Sequence, residues 1–366
     1  MTVDQIKSIK TSNPDNIMAA AFDEEYFNTL SADDQAQLLR CCNSGIQNPE
    51  SCMGCYAMNP TDYDKFYNFF KPALEKYHKV NLSEKKHVND WNLKGVEGLP
   101  ADGKLDVSAF GLGALSMRIR TARNLNKFPL PGAMTEEDRK NMELAMKPVF
   151  DELIKNPDFG GEYVSLTPGH PNHISDERYQ QLVKEHIMFK NMADDSYLVT
   201  AGIAGDWPAG RGCFISADKG FIIWVGEEDH LRIMAMKKST MINDVFDRLK
   251  AAIDVVEKLI PGGCAKSPDF GVITSCPTNM GTGMRASVHV QLPNLTKDGT
   301  DTKAKEVCKP FGLGVRGLGG EHTPIGADGT VDISPKARFC ISEAEIAIAL
   351  YKGVEKVWAE EQAAKN

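Results

Sequence analysis

Cys276-Pro-Thr-Asn-Met-Gly-Thr-Gly-Met-Arg-Ala-Ser-Val-His289 couples a glycine-rich turn to a segment of alternating residues. On a strand, Arg285, Ser287 and His289 share one face, while Val288, Val290 and Leu292 point the other way and can be buried. One wall then offers a cation, a hydroxyl and an imidazole. Strand rise places Arg285 and His289 roughly 13 Å apart, comparable to the distance between the phosphates and the base of a nucleotide. A half-buried strand with a polar outer face would show the same alternation, so this spacing leaves both readings open.

Three other segments extend the chemical reading. Ser116-Met-Arg-Ile-Arg120 alternates, so Arg118 and Arg120 project together while Met117 and Ile119 face inward. Glu227-Glu-Asp-His-Leu-Arg232 follows the apolar run Phe221–Val225, with Gly226 able to turn the chain. Gly312-Leu-Gly-Val-Arg316-Gly-Leu-Gly-Gly-Glu321-His-Thr is glycine-rich enough to be mobile until something orders it. Five arginines on strand ends and loops, at 118, 120, 232, 285 and 316, need a partner. If they converge, each pair at about 6 Å and a dielectric of about 20 repels by about 3 kcal/mol. A polyanion or neighbouring carboxylates would offset that, and beside glycine-rich turns ATP phosphates fit best. The chain has no Walker Gly-x-x-x-x-Gly-Lys-Ser/Thr and no Rossmann glycine fingerprint. Asp269-Phe270-Gly271 spells a protein-kinase tripeptide without its companion motifs and is read as chance.

The chain has 366 residues, 42% of them hydrophobic and 25% charged, enough for a sizeable core and two domains. Residues from about 15 to 95 are helix-like, with Ser31 as a cap and Phe66, Phe69, Phe70 and Leu74 at helical spacing. After a polar connection at 96–107, strand-like runs alternate with amphipathic helices. One starts at Thr135, one runs from about Asp244 to Ile260, and the last opens on Ser342-Glu-Ala-Glu345. The expected architecture is α+β, with an all-α N-terminal domain at 1–95, a linker at 96–107 and a larger α+β domain at 108–366.

A formal charge of −8 argues against nucleic acid and anionic membranes as partners, and no run approaches a membrane span. The N-terminus lacks a secretory pattern, and nine cysteines suit a reducing compartment, so a cytoplasmic protein is expected. Cys52-Met-Gly-Cys55 with Cys41 and Cys42 could form a zinc site, but adjacent cysteines are awkward in one tetrahedron and no second Cys-x-x-Cys follows. Ordinary thiols are the better reading.

The Cys276-Pro-Thr-Asn-Met-Gly-Thr wording closely resembles the cysteine signature of the phosphagen (guanidino) kinases, and the resemblance runs in order from about residue 20 to 355. It implies a small all-α domain joined to a large domain with an antiparallel sheet flanked by helices, the guanido kinase and glutamine-synthetase-like catalytic fold. It also implies ATP or ADP and a guanidino compound as substrates, with Mg²⁺ held mainly by the nucleotide phosphates and water. Carried over, Arg118, Arg120, Arg232, Arg285 and Arg316 would bind phosphates, and His186, His289 and Asp332 would line the nucleoside. Glu228, Cys276 and Glu321 would hold the guanidinium and carry catalysis.

The chemistry explains such a set. A guanidinium is always charged and lacks a free lone pair, so it is a poor nucleophile until two carboxylates clamp it and accept a proton. Cys276 is expected as a thiolate, its pKa lowered by nearby cations. Closure of the loop carrying Glu321 would deliver the second carboxylate and exclude water. The compact loop Glu50-Ser-Cys-Met-Gly-Cys-Tyr56 resembles the specificity loop of arginine kinases, with Ser51, Cys52, Met53 and Tyr56 around an amino-acid substrate. Cys52-Met53 replaces a usual Gly-Val, and Gly226 a usual Asn. L-Arginine is therefore the expected substrate, with taurocyamine or another guanidino compound next and a protein-arginine kinase third. A monomer is expected.

Overall fold

The first helices begin where short polar side chains can accept from exposed amides. The computed structural model describes residues 2–318 and 323–365. Six helices open the chain: α1 (Thr2–Ser12), α2 (Ile17–Ala21), α3 (Glu24–Thr29), α4 (Ala32–Gln47), α5 (Asp62–Lys65) and α6 (Tyr67–His78). Ser31 Oγ accepts from Asp34 N at the start of α4, one of the orphan donors of a first turn. The single helix suggested for 62–74 is broken at Phe66, whose φ of −103° and ψ of 43° leave helical space. Buried Asp62 anchors the start of α5, accepting from Met58 N at 2.7 Å and Asn59 N at 2.8 Å.

Ten strands follow: β1 (Leu115–Arg123), β2 (Glu162–Ser165), β3 (Gly212–Ile215), β4 (Phe221–Val225), β5 (Leu231–Ser239), β6 (Lys266–Ser267), β7 (Gly271–Val272), β8 (Met284–Gln291), β9 (Leu313–Arg316) and β10 (Thr330–Pro335). Eight of them form an antiparallel sheet in the order β2-β3-β4-β5-β1-β8-β10-β9, and β6 pairs with β7. The remaining helices are α7 (Glu136–Ala145), α8 (Lys147–Lys155), α9 (Asp176–Lys184), α10 (Ser196–Thr200), α11 (Asn243–Leu259), α12 (Thr302–Cys308) and α13 (Glu343–Ala363). Thr135 and Ser342 both form reciprocal capping boxes, as their spacing predicts.

By compactness the chain groups into two units, one of Met1–His87, Ala122–Ile233 and Asp254–Gly283, the other of Val88–Thr121, Met234–Ile253 and Met284–Asn366. The first has an aromatic core in which Tyr63 lies 4.4 Å from Phe70 and 6.3 Å from Phe270. In the second, α13 packs on β8 and β10 and buries Ile346, Leu350, Val354 and Val357. Each such side chain contributes about 1.5–3 kcal/mol relative to exposure. Gly353 of the same helix lies close to Leu313 of β9, where a Cβ would sit 2.6 Å from the Leu313 side chain.

The first part of the glycine-rich segment is a strand. Residues Leu313–Arg316 form a strand paired with β10, and Leu313 and Val315 are buried on alternate positions. These two apolar side chains anchor the strand. Glu321 lies outside the described residues.

Candidate active site

Strand register gathers the cations of the second unit. In the β1–β8 pair, Ser116 lies opposite His289, Arg118 opposite Ser287 and Arg120 opposite Arg285. Asp332 on β10 lies opposite both His289 and Arg316. Directly paired residues share a face, as do residues two apart, so Arg118, Arg120, Arg285, Arg316, Ser287, His289 and Asp332 belong to one side of the sheet. Met117, Ile119, Ala286, Val288, Val290 and Ile333 fill the other side and are buried. The alternation that marks the strand therefore also selects which side chains meet.

On that face Asp332 meets both Arg285 and His289. Asp332 pairs with Arg285 Nη2, and its other oxygen lies 3.4 Å from His289 Nε2. Burial would raise the Asp332 carboxyl, yet His289, the Arg285 guanidinium and Ser287 hold it down at about 2. Arg285 Nη1 donates to Ser287 Oγ at 3.3 Å, whereas Arg285 Nε is buried with no acceptor among the described residues.

The first unit builds a different wall from turns and loops. Gly226, at φ +75°, closes the β4–β5 turn through a 2.9 Å bond from its amide to His230 O. A Cβ at 226 would approach Gly210 O to 2.3 Å, so the glycine fits both the dihedral and the space. Arg232 Nη2 lies 2.9 Å from Glu227 and 3.6 Å from Glu228, and its guanidinium stands 5.4 Å from the Trp224 ring centre.

Facing segments in the same unit carry the thiol and the tyrosine. Cys276 is buried, and its Sγ lies 3.1 Å from Thr278 Oγ1. Burial, then the Glu228 charge, pushes the thiol well up, with Thr278 opposing and Asp229 adding to the rise. Within the protein these influences favour the protonated thiol, and the expected thiolate is one beside a bound guanidinium. Tyr56 is pushed up by burial and then by Cys276 and Glu228, which places its phenol in their field. Around it, Ser51 N donates to Asn48 O at 3.0 Å, and the Cys52 and Met53 carbonyls accept from Ile17 N and Met18 N.

The carbonyls around Cys276 are fixed from the N-terminal helical segment. Ala57 N donates to Ser275 O at 2.8 Å, Tyr63 Oη to Thr274 O at 2.9 Å, and His78 Nε2 lies 2.9 Å from Pro277 O. Sequence reading missed Tyr63, His78 and Asp229. The acidic run Glu227-Glu-Asp signals a carboxylate but not which member turns inward, and nothing in the sequence links residues 63 and 274.

Among the expected site residues, the structure brings Arg118, Arg120, Arg285, Arg316, His289 and Asp332 together in one unit. Glu228, Cys276, Arg232 and Tyr56 belong to the other, as do Ser51, Cys52 and Met53. His186 is exposed after α9 with φ of 59°, in that same unit. Cys41, Cys42 and Cys55 are buried thiols pushed up by desolvation, and no cluster of three or more His, Cys, Asp or Glu suited to a metal occurs among the described residues. No helix among the described residues is long and apolar enough to cross a membrane.

Comparison with known proteins adds an independent line. Residues 12–75 match the ATP:guanido phosphotransferase N-terminal domain, and residues 141–364 match the ATP:guanido phosphotransferase C-terminal catalytic domain. An arginine kinase of Limulus polyphemus is 34% identical over 90% of this chain and 87% of its own length. One of Anthopleura japonica is 35% identical over 90% of this chain, which spans only 43% of that relative. Among solved structures, the substrate-free duplicated taurocyamine kinase of Schistosoma mansoni superposes with a TM-score of 0.81 at 28% identity, covering 98% of this chain and 49% of that one. A lombricine kinase gives 0.76 at 28% identity, over 91% and 86%.

Proposed function

Because this chain belongs to the ATP:guanido phosphotransferase family, we propose that it reversibly transfers the γ-phosphoryl group of ATP to the guanidino group of L-arginine, giving phosphoarginine and ADP. The observation that carries the reading is the division of chemistry: a strand-borne cationic face suited to polyphosphate, and a wall where Glu228, Cys276 and Tyr56 share one electrostatic neighbourhood. In this reading Arg118, Arg120, Arg285 and Arg316 hold nucleotide phosphates, joined by Arg232, with His186, His289 and Asp332 toward the nucleoside. Asp332 then serves first as the internal counter-ion of Arg285, which incoming phosphate would supplement.

The reaction balances simply. A guanidinium nitrogen forms the N–P bond as the bond from γ-phosphorus to the ADP oxygen breaks, and one guanidinium proton passes to a carboxylate, Glu228 or Glu321. Glu228 orients and drains the fork, while a guanidinium bound beside Cys276 would favour ionisation of its thiol. Arginines fit a phosphate cradle by charge and forked geometry, and Mg²⁺ carried on the nucleotide would supply further charge neutralisation there. Correct placement can account for about 7–11 kcal/mol of barrier lowering.

The substrate rests on the 50–56 loop. Tyr56 stands in the field of Cys276 and Glu228, as an amino-acid-binding tyrosine should. With Ser51 N committed to Asn48, the amides of Cys52 and Met53 are the better candidates for a substrate carboxylate. Taurocyamine is the second reading, favoured by the likeness to a taurocyamine kinase and by Cys52-Met53 in the loop. We further read the protein as a cytoplasmic monomer, which light scattering and fractionation would check. Mg²⁺-dependent ADP release with L-arginine, creatine, taurocyamine, glycocyamine and lombricine, using Glu228→Gln as the blank, tests the assignment. Activity on arginine that the variant loses is expected. Preference for taurocyamine would overturn the substrate, and silence on all five would move the reading to a protein-arginine kinase.

A further inference from the structure

We propose that Asp229, with Asn124, is a positioning residue that fixes the separation between Glu228 and Cys276. The proposal rests on the guanidino reading above for its consequence, though not for its geometry. Asp229 is 4% exposed and Asn124 is fully buried. One oxygen of Asp229, Oδ1, accepts from Asn124 Nδ2 at 2.8 Å and from Ser275 N at 2.7 Å. Asn124 completes the node by donating to Ile273 O at 3.0 Å and accepting from His230 N at 2.8 Å.

The anchor lies one residue from each working group. Asp229 follows Glu228, and Ser275 precedes Cys276, so the path from carboxylate to thiol runs through two peptide links and one hydrogen bond. Successive Cα atoms are held about 3.8 Å apart, which leaves the Asp229–Ser275 bond as the variable span. A buried carboxylate is costly, and an apolar side chain could fill its volume. Its hydrogen bonds to both walls account for its presence, because satisfied buried networks rigidify what they join. A guanidinium held between Glu228 and Cys276 needs that rigidity, since a displacement of about 1 Å can cost about 10²-fold in rate.

The test separates hydrogen bonding from charge. Asp229→Asn keeps an oxygen in the Oδ1 position, whereas Asp229→Ala removes it, and both variants lose the charge. Asp229→Ala should lower kcat on the guanidino substrate by about 30–100-fold while the nucleotide KM stays within about twofold. Asp229→Asn should stay within about threefold of the parent in kcat. At one pH, peptide-resolved alkylation of Cys276 should run about tenfold faster in Asp229→Ala than in Asp229→Asn, with buried Cys308 unchanged as the control. Equal damage in both variants would assign the effect to charge and overturn the proposal, as would an unaffected Asp229→Ala. Acceleration of Cys308 together with Cys276 would mean general loosening and overturn it too. If Asp229→Ala does not fold, Asn124→Ala removes one donor of the same node and should move both readouts by a smaller factor; no movement would overturn the anchor. Should the parent enzyme phosphorylate no guanidino compound, the functional reading fails while the alkylation comparison still decides the anchor.

Discussion

The cationic face and the thiol–carboxylate wall solve opposite problems in different ways. On the face, arginines are mounted on neighbouring strands, and regular pairing of β1, β8, β10 and β9 fixes where their backbones lie. At the wall, Glu228 and Cys276 come from a turn and a loop distant in sequence, and their placement depends on buried polar contacts from Asp229, Asn124, Tyr63 and His78. On the face Asp332 already counters Arg285, whereas at the wall Asp229 is tied to Asn124 and Ser275. A binding surface for a flexible polyanion tolerates approximate placement, and a clamp for a planar fork does not.

The largest expected effect belongs to the wall. Glu228→Gln removes one of the two proposed proton acceptors with little change of shape and should lower kcat by about 10³-fold, with the nucleotide KM nearly unchanged, as initial-rate kinetics in both substrates would report. A parallel change in nucleotide KM would erase the functional distinction between the two regions. Next comes the face. Arg285→Gln leaves Asp332 buried without its ion partner and should destabilise the fold by about 3 kcal/mol in urea titrations, besides weakening nucleotide binding. Arg285→Gln combined with Asp332→Asn should recover most of the stability but not the nucleotide affinity. Failure of that recovery would mean that Asp332 is not the counter-ion its geometry indicates.

The smallest effect is a pH dependence confined to the face. The Asp332 carboxyl sits at about 2 against an ordinary 3.8, so the folded state binds its proton less readily than the unfolded chain does. Its contribution is therefore fully present above about pH 4 and is lost as pH falls from there through 2, amounting to about 2 kcal/mol. Comparing acid unfolding of the parent with Asp332→Asn should show the parent's extra stability disappearing across that window. An identical acid dependence in the two proteins would contradict the pairing.

Much of this protein follows from local sequence. Period-two alternation in Ser116–Arg120 and Met284–Gln291 identifies the strands, and it also separates the cations from the buried Met117, Ile119 and Val288, because a pleated strand sends neighbours to opposite sides. The capping boxes at Thr135 and Ser342 and the apolar stripe of α13 are equally local. Tertiary structure decided the rest. Which strands pair, and hence that Arg316 and Asp332 join the arginines of β1 and β8, depends on long-range register. The pairing of Leu313–Arg316 with β10 and the upward push on the Cys276 thiol each depend on residues far away in the chain. Alternation is a property of the backbone and can be read from a few residues, whereas desolvation and a hydrogen bond such as Asp229 to Ser275 exist only once distant segments have met.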